Sequence, residues 1–432
     1  MMNDYLQKLI VAEGLRQSQS INLIASENFA SKDVRNAVGS VFMNKYSEGM
    51  IKKRYYEGNE VIDQLEIDTT DKLKRFMLQN DNQELFDEWS VNLQIPTGSI
   101  ANLIVYSSVL EPNDTILSMF LPDGGHLSHG WSFDKGVSDP PFIHYSGSSK
   151  TTFVSKIYNI VQYKTDPITH LINYEKLREI ALTVKPKLII TGGTAYCREI
   201  DYKTISDISH EVGAYYLADI AHEAGLIGAG VMKSPFAFAD FVTFTTHKTL
   251  RGPRGAVVMC RKNFIEKVNK SVMPGLLGGP FNHSIAGLNQ ALSEALTEDF
   301  KSYAASVITN AKRLGTNLTE LGYNLISGGT DKHLIVINLE NKRIDGDTFS
   351  KLLAVNGIVS NKSTVPYETG SPMKPSGIRF GTPFITTRGF RENEIDTVAE
   401  LIDEVMLNYH KNSQKNIKDK VIKLTNKFPL DI

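Results

Sequence analysis

The chain has 432 residues, 41% of them hydrophobic and 22% charged, with a formal net charge of −1. That length exceeds one compact core, so two domains are expected, and so near-neutral a balance gives neither nucleic acid nor an anionic membrane an electrostatic reason to bind. Cys197 and Cys260 sit in no CxxC or metal-ligand spacing, so free thiols in a reducing compartment and no bound metal are expected. No stretch approaches the ~20 apolar residues that span a bilayer. The N-terminus lacks an apolar core with a cleavage site and carries Asp4 and Glu13, unlike an acid-poor presequence. A cytoplasmic protein is expected.

In chain order, Leu6, Leu9 and Ile10 recur at helical spacing up to Gly14. The run INLIASENFAS follows, whose Ser26 and Asn28 suit a turn or cap. Lys45–Glu60, KYSEGMIKKRYYEGNE, is too polar and glycine-broken for a core element and reads as a loop. Val61–Phe76 reads as a helix with Ile62, Leu65, Leu73 and Phe76 inward. PTGS then opens the apolar run IANLIVYSSVL. Backbone N–H groups at such a helix start form an anion site, although an ordinary cap explains TGS equally well.

An apolar strand over Thr115–Phe120 leads into DGGHLSHG, and KLIITGG at Lys187–Gly193 is a strand entering a glycine turn. Strands KLIITGG, AYYLAD and FADFVTFTT alternate with helical segments. This βα pattern implies a largely parallel sheet covered by helices on both faces. PGLLGGP at 274–280 is glycine-dense enough for close backbone approach to an anion. A helix over Ile285–Thr297 leads to a second domain from about residue 296. Its expected elements are helix Tyr303–Leu321, strand HLIVINL, helix Asp347–Asn356, an irregular stretch Asn361–Gly377, strand IRFGT and helix Glu392–Asn408. In the last helix Ile395, Val398, Leu401, Ile402 and Val405 form one stripe. Ile417, Val421 and Leu424 place a C-terminal helix on the same domain.

Two stretches carry chemistry. FVTFTTHKTLRGPRG, Phe241–Gly255, begins as a buried strand and turns abruptly cationic at His247, Lys248, Arg251 and Arg254. A lysine at the end of a buried strand loses hydration, which lowers its pKa, and a neutral amine can hold an aldehyde as a Schiff base. For a lone lysine a solvated basic turn is the simpler reading. The second stretch, YYLADIAHEAG at Tyr215–Gly225, overturns it. Its strand ends in Asp219, with His222 three residues on. A carboxylate opposite a Schiff-base lysine is what pyridoxal phosphate requires, because it keeps the ring nitrogen protonated. Ligands of such sheets lie at the strands' carboxyl ends, where Asp219 and Lys248 fall.

With these stretches, the motifs LIASENF, NKYSEG, KRYYEGNE, DGGHLSHG, THKTLRGPRG, GGP and GIRFGTP–TTRGF resemble, in the same order, the serine hydroxymethyltransferase family over nearly the whole chain. The 131–164 stretch, containing DPP and SGSS, resembles the longer eukaryotic form. The resemblance implies the pyridoxal-phosphate fold type I, aspartate-aminotransferase-like and α/β. It further implies an N-terminal arm (1–25), a large cofactor domain with a mostly parallel sheet (26–295) and a smaller α+β domain (296–432). The implied reaction moves the hydroxymethyl carbon of serine to tetrahydrofolate, giving glycine, in a homo-oligomer of dimers or dimers of dimers.

Residue by residue, the resemblance places pyridoxal phosphate covalently on Lys248, with Thr245 and His247 beside it. Asp219 meets the ring nitrogen, His126 stacks on the ring, and His222 and Thr194 face its 3′ oxygen. Thr194 stands where the family commonly has serine and keeps the hydroxyl. Thr97, Gly98 and Ser99 hold the phosphate, although QIPTGS displaces the family's proline by one position. Tyr46 and Gly279 are implied to reach the phosphate of a neighbouring subunit. Glu48 is implied to exchange protons in the folate step, with Tyr56 near the substrate; a carboxyl enclosed by tyrosines holds its proton more readily. Ser26 and Arg379 are implied to bind the substrate carboxylate, a task suited to a planar guanidinium. Leu121, Gly125 and Leu127 fall at folate positions, and Ser363 stands where the family's pterin-binding asparagine is usual. His129 reads as structural. A folate-independent β-hydroxy-amino-acid aldolase would share Lys248 and Asp219 but not need the folate loop, which is present. A non-catalytic relative would be expected to have lost one of the pair.

Overall fold

A computed structural model describes residues 3–78, 83–131, 137–139, 142–144, 151–371, 373–411 and 416–431. Much of the 131–164 stretch, including the prolines of DPP and all of SGSS, lies outside the described residues. No helix among the described residues is long and apolar enough to cross a membrane.

The large sheet contains β1 (Trp89–Ile95), β2 (Thr115–Met119), β3 (Val137–Asp139), β4 (Phe142–His144), β5 (Asn159–Tyr163), β6 (Leu188–Thr191), β7 (Tyr215–Asp219), β8 (Phe241–Thr245) and β9 (Ala256–Arg261). Their spatial order is β1-β9-β8-β7-β6-β2-β5-β4-β3. The five central strands, β8 to β5, are mutually parallel. Both flanks are antiparallel, so the sheet is mostly parallel, as the βα pattern predicts, but mixed at its edges. The antiparallel turn into β9 comes straight after the cationic stretch. Glycine and proline there reverse the chain before a crossover helix can form.

Strand alternation explains why the central runs are apolar almost throughout. Ile189, Tyr216, Ala218, Val242 and Phe244 face one core, and their neighbours Leu188, Ile190, Leu217 and Phe241 face the other. The first is covered by helices such as Glu60–Leu78, through Leu73, Phe76 and Met77, and Asn282–Ala295, through Ile285, Leu288 and Leu292. The second is covered chiefly by helix Gly98–Val109, through Ala101, Ile104 and Val105.

A second sheet is antiparallel and four-stranded, with β10 (Asn324–Leu325), β11 (Leu334–Asn338), β12 (Asn361–Ser363) and β13 (Gly377–Gly381) in the order β10-β11-β13-β12. Part of the stretch expected to be irregular is therefore a strand, β12, held beside Arg379 by its pairing with β13. The C-terminal helices Glu392–His410 and Lys418–Thr425 bury the expected stripes against this sheet, including Ile395, Val398, Ile402, Val405, Ile417, Val421 and Leu424. Helix Glu298–Glu320 begins five residues before the expected Tyr303 and joins the cores. Its Phe300, Tyr303 and Val307 pack in the first, and its Leu314 and Leu318 in a third, built on the second sheet. Ile21 and Leu23 also belong to this third core, and Ile21–Asn22 pairs in parallel with Ile358–Val359.

The chain's two ends meet at Arg388. Its guanidinium donates to the carbonyls of Ser20 (3.0 Å), Thr425 (2.9 Å) and Phe428 (2.8 Å), and to that of Ser18. Removing a buried charged donor strands several carbonyls at once. Arg388→Leu is expected to cost about 2–4 kcal/mol. Hydrogen exchange should show protection lost first around residues 18–23 and 421–428, while β7 and β8 keep theirs. Unchanged protection at both ends would contradict this role.

Candidate active site

β7 and β8 are adjacent and parallel, with Asp219 opposite Thr243. Parallel pairing brings both carboxyl ends to one edge, so Asp219 and Lys248 open into the same cavity of about 350 Å³. Ser26, Thr97, Gly98, Ser99, His126, Thr194, His222, Thr245 and His247 line it too. The expected residues thus come together from six separate stretches of chain.

Asp219 is buried, and its carboxylate is held by three elements. Asn102, one helical turn into Gly98–Val109, donates its amide to Oδ2 at 2.8 Å, and Thr243 Oγ1 donates to the Asn102 carbonyl oxygen at 2.6 Å. His129 Nε2 lies 3.0 Å from the same Oδ2, and the Ala221 N–H donates to Oδ1 at 3.0 Å. Burial works to raise this carboxyl's pKa. The hydrogen bond and charge of His129, with His126 and Asn102, outweigh it and hold the group well below the usual carboxylate range. Asp219 is therefore charged. His129 Nδ1 is buried without a partner among the described residues, so Nε2 is the nitrogen that carries the donated hydrogen. His129, read from sequence as structural, instead orients the carboxylate. Asn102 escaped notice as well; its signal was a lone amide in an otherwise apolar helical run.

Lys248 is 8% exposed. Burial pushes its amine down to about 8, against the opposing pull of Asp219 and with help from the charge of Arg379. His126 is pushed down to about 4, by burial first and then by His129. Its Nδ1 lies 2.7 Å from Ser128 Oγ, which ties the ring to the turn Leu127–His129. Arg379 is buried, and burial lowers it to about 10. It donates to the Thr194 hydroxyl at 2.8 Å and to the Asn361 carbonyl oxygen at 3.1 and 3.2 Å. Asn361 reaches it because β12 lies beside β13, a pairing invisible in the expected irregular stretch.

The donors fit a phosphorylated aromatic aldehyde. Thr97 caps helix Gly98–Val109, accepting from the Ile100 N–H at 3.4 Å, so the cap and the anion site are the same turn. A Cβ on Gly98 would stand 2.8 Å from Thr245 Cγ2 and close the cradle. Arg254, not expected here, adds a cation to the same cavity. His247 Nδ1 is buried with no partner among the described residues, a polar atom left for a ligand. Thr245 is engaged, its hydroxyl donating to the Ala221 carbonyl at 3.2 Å.

Other expected site residues lie elsewhere. Tyr46 and Tyr56 stack edge to face at 5.2 Å, Tyr46 donates to Glu48 at 3.4 Å, and Gly279 packs under the Tyr46 ring, where a Cβ would come within 2.7 Å. This cluster does not line the cavity. Tyr46 is 54% and Tyr56 47% exposed, so the enclosure expected for Glu48 is not supplied within one chain. Leu121, Gly125 and Leu127 border the turn beside His126 but do not line the cavity either. Gly125 has a packing reason of its own, since a Cβ there would lie 2.3 Å from the Met119 carbonyl. Ser363 pairs with Gly377, and its hydroxyl donates to the Thr364 carbonyl at 3.0 Å.

Compared with known families, the chain matches the family model described as serine hydroxymethyltransferase over residues 1–402.

The buried lysine gives a pH test. An amine shifted from 10.5 to about 8 is half neutral at pH 8, where an ordinary lysine is under ~1% neutral. Only the neutral form attacks an aldehyde. Cofactor-free protein mixed with pyridoxal phosphate should therefore show an attachment rate at Lys248 that rises with pH to a midpoint near 8. A midpoint near 10 would mean that the site stays hydrated.

Proposed function

The chain belongs to the serine hydroxymethyltransferase family, and we propose that the cavity between Asp219 and Lys248 is where it works. Its activity is the reversible, pyridoxal-phosphate-dependent transfer of the serine hydroxymethyl carbon to tetrahydrofolate, giving glycine and methylenetetrahydrofolate, and the family is oligomeric. The observation that carries the site assignment is the convergence of a charged carboxylate and a desolvated amine at the ends of adjacent parallel strands.

When bound, pyridoxal phosphate supplies an electron sink for the bond broken at the α-carbon. Lys248 would hold it covalently, the Gly98–Ser99 turn with Thr97, His247 and Arg254 its phosphate, and His126 its ring face. Asp219 keeps its negative charge against the ring nitrogen because Asn102 and His129 leave it no reason to take a proton. Thr194 and His222 face the ring's oxygen. Arg379 and Ser26 orient the substrate carboxylate, toward which the buried guanidinium would turn the two donors it now spends on Asn361.

Glu48 and Tyr56 move protons at the hydroxymethyl group of a neighbouring subunit, and Tyr46 and Gly279 approach that neighbour's phosphate. What supports this is that the four form a single, partly exposed cluster away from their own cavity. The exposed apolar side chains Leu6, Leu9, Ile10 and Leu15 of helix Asp4–Ser18 suit an arm packed on the partner. Folate lies over Leu121, Gly125 and Leu127, with Ser363 at its pterin. The arm, large domain and small domain divide near residues 25 and 296. A cytoplasmic location accords with Cys197 and Cys260 being free and buried.

Serine cleavage assayed with and without tetrahydrofolate tests the site as a whole. A strong folate requirement is expected, and equal rates would favour an aldolase. The shared-site reading has its own test. Glu48→Gln and Lys248→Ala subunits, each inactive alone, should regain activity on mixing, because a hybrid dimer carries one intact site. No regain despite proven subunit exchange would place Glu48 in its own chain's site. For Ser363→Asn, an added hydrogen bond is expected to tighten tetrahydrofolate roughly two- to twelve-fold, with glycine binding unchanged in parallel titrations. Unchanged folate affinity would remove Ser363 from the pterin.

A further inference from the structure

The cavity loop and the second sheet meet in two consecutive cross-contacts. His222 stacks on His333 at 5.3 Å with Nδ1 3.1 Å from His333 Nε2, and the next residue, Glu223, accepts from Lys332 Nζ at 2.5 Å. His333 is fully buried at the entry to β11, its carbonyl fixed by the Thr382 N–H at 2.9 Å. The other edge of His222, Nε2, lies 3.4 Å from Thr194 Oγ1 in the cavity wall.

One nitrogen of the His222–His333 contact must carry the hydrogen. Burial, and then the cations Lys248, Arg379 and Lys332 around the pair, keep both rings well below the ordinary histidine range, so each is neutral with one N–H. His333 Nδ1 is buried and has no partner among the described residues. If His222 Nδ1 were the donor, His333 would carry its hydrogen on Nδ1, a buried N–H with no acceptor. Orphaned buried N–H groups are rarer than under-satisfied acceptors. The opposite arrangement leaves only a bare lone pair there. His333 Nε2–H then donates to His222 Nδ1, and His222 must carry its own hydrogen on Nε2.

We propose that His333 is a positioning residue that fixes His222 in the Nε2–H tautomer and so aims a hydrogen-bond donor into the cavity, at an anionic oxygen of the bound ring. Thr194 Oγ1 already accepts from Arg379, which leaves the single His222 Nε2–H for the ring oxygen and turns the threonine's own hydrogen toward the ligand. The Lys332–Glu223 pair, locked one residue along, holds the two loops in this register. The tautomer of a histidine on the large sheet's edge is thereby set from the entry to a strand of the second sheet. The inference rests on the cavity being the cofactor site.

The test is nitrogen NMR of the holoenzyme labelled with 15N-histidine, with His333→Gln and His333→Leu beside the unaltered protein. Gln can present an amide N–H where His333 Nε2 stood, whereas Leu cannot donate. His222 should show a protonated Nε2 and a bare Nδ1 in the unaltered protein and in His333→Gln. In His333→Leu it should lose that single state, the cofactor's absorption band should move, and cofactor should be released roughly two- to twelve-fold faster. A bare Nε2 on His222 in the unaltered protein overturns the proposal, as does a His333→Leu protein that keeps both the tautomer and the band. If His333→Leu fails to fold, the other two spectra decide. Failure of the underlying cofactor reading would show separately, as unaltered protein that binds no pyridoxal phosphate while its histidine spectrum is still readable.

Discussion

Keeping one carboxylate charged inside the protein is the constraint on which the site depends. A buried Asp219 would ordinarily take a proton, and a protonated Asp219 could not hold a cationic ring nitrogen. The chain meets this with donors from three places: Asn102 on the helix beneath the sheet, His129 on the turn after β2, and the Ala221 backbone after β7. Each donor needs its own element correctly placed. Thr243 on β8 holds Asn102, and Tyr106 donates to the Ser128 carbonyl to hold the turn that carries His129. Lys248 faces the complementary demand. It must lose hydration without being neutralised by a tight ion pair, and Asp219, occupied by its own donors, influences it through charge alone.

The second sheet braces the cavity wall from behind. Arg379 reaches across to Thr194, His333 to His222, and Lys332 to Glu223. A buried ion pair such as Lys332–Glu223 adds little net stability because both charges must be desolvated. Removing one partner leaves an uncompensated charge, so the pair specifies how two elements dock. Arg388 does the equivalent for the chain ends without a carboxylate, spending its donors on backbone carbonyls. The cavity lies at the large sheet's edge, and polar contacts from the second sheet hold its wall residues in place.

Much of this was legible in the sequence. Apolar runs ending in Asp219 and before Lys248 gave the two strands and the edge on which the ligand lies. The helical stripes of Glu392–His410 and Lys418–Thr425 appear where their periodicity puts them. What escaped was long-range or one-residue chemistry. Asn102 looks like a blemish in an apolar helix until β7 lies beside it. His129 differs from His126 only in which way a three-residue turn faces. Asn361 acts across the β12–β13 pairing and His333 across a loop contact between the sheets, neither of which a local pattern announces, and the antiparallel β9 flank follows from the chain reversal that ends at Gly255. The loop carrying Tyr46, Glu48 and Tyr56 was legible, and the structure gathers the three as neighbours away from the cavity of their own chain.

The central claim is that Lys248, opposite Asp219, is the residue to which the cofactor is joined. Borohydride reduction of the holoenzyme followed by peptide mapping tests it most directly. The account predicts a single reduced pyridoxyl adduct on the peptide THKTLR, at Lys248. An adduct on any other lysine, Lys332 included, would contradict it.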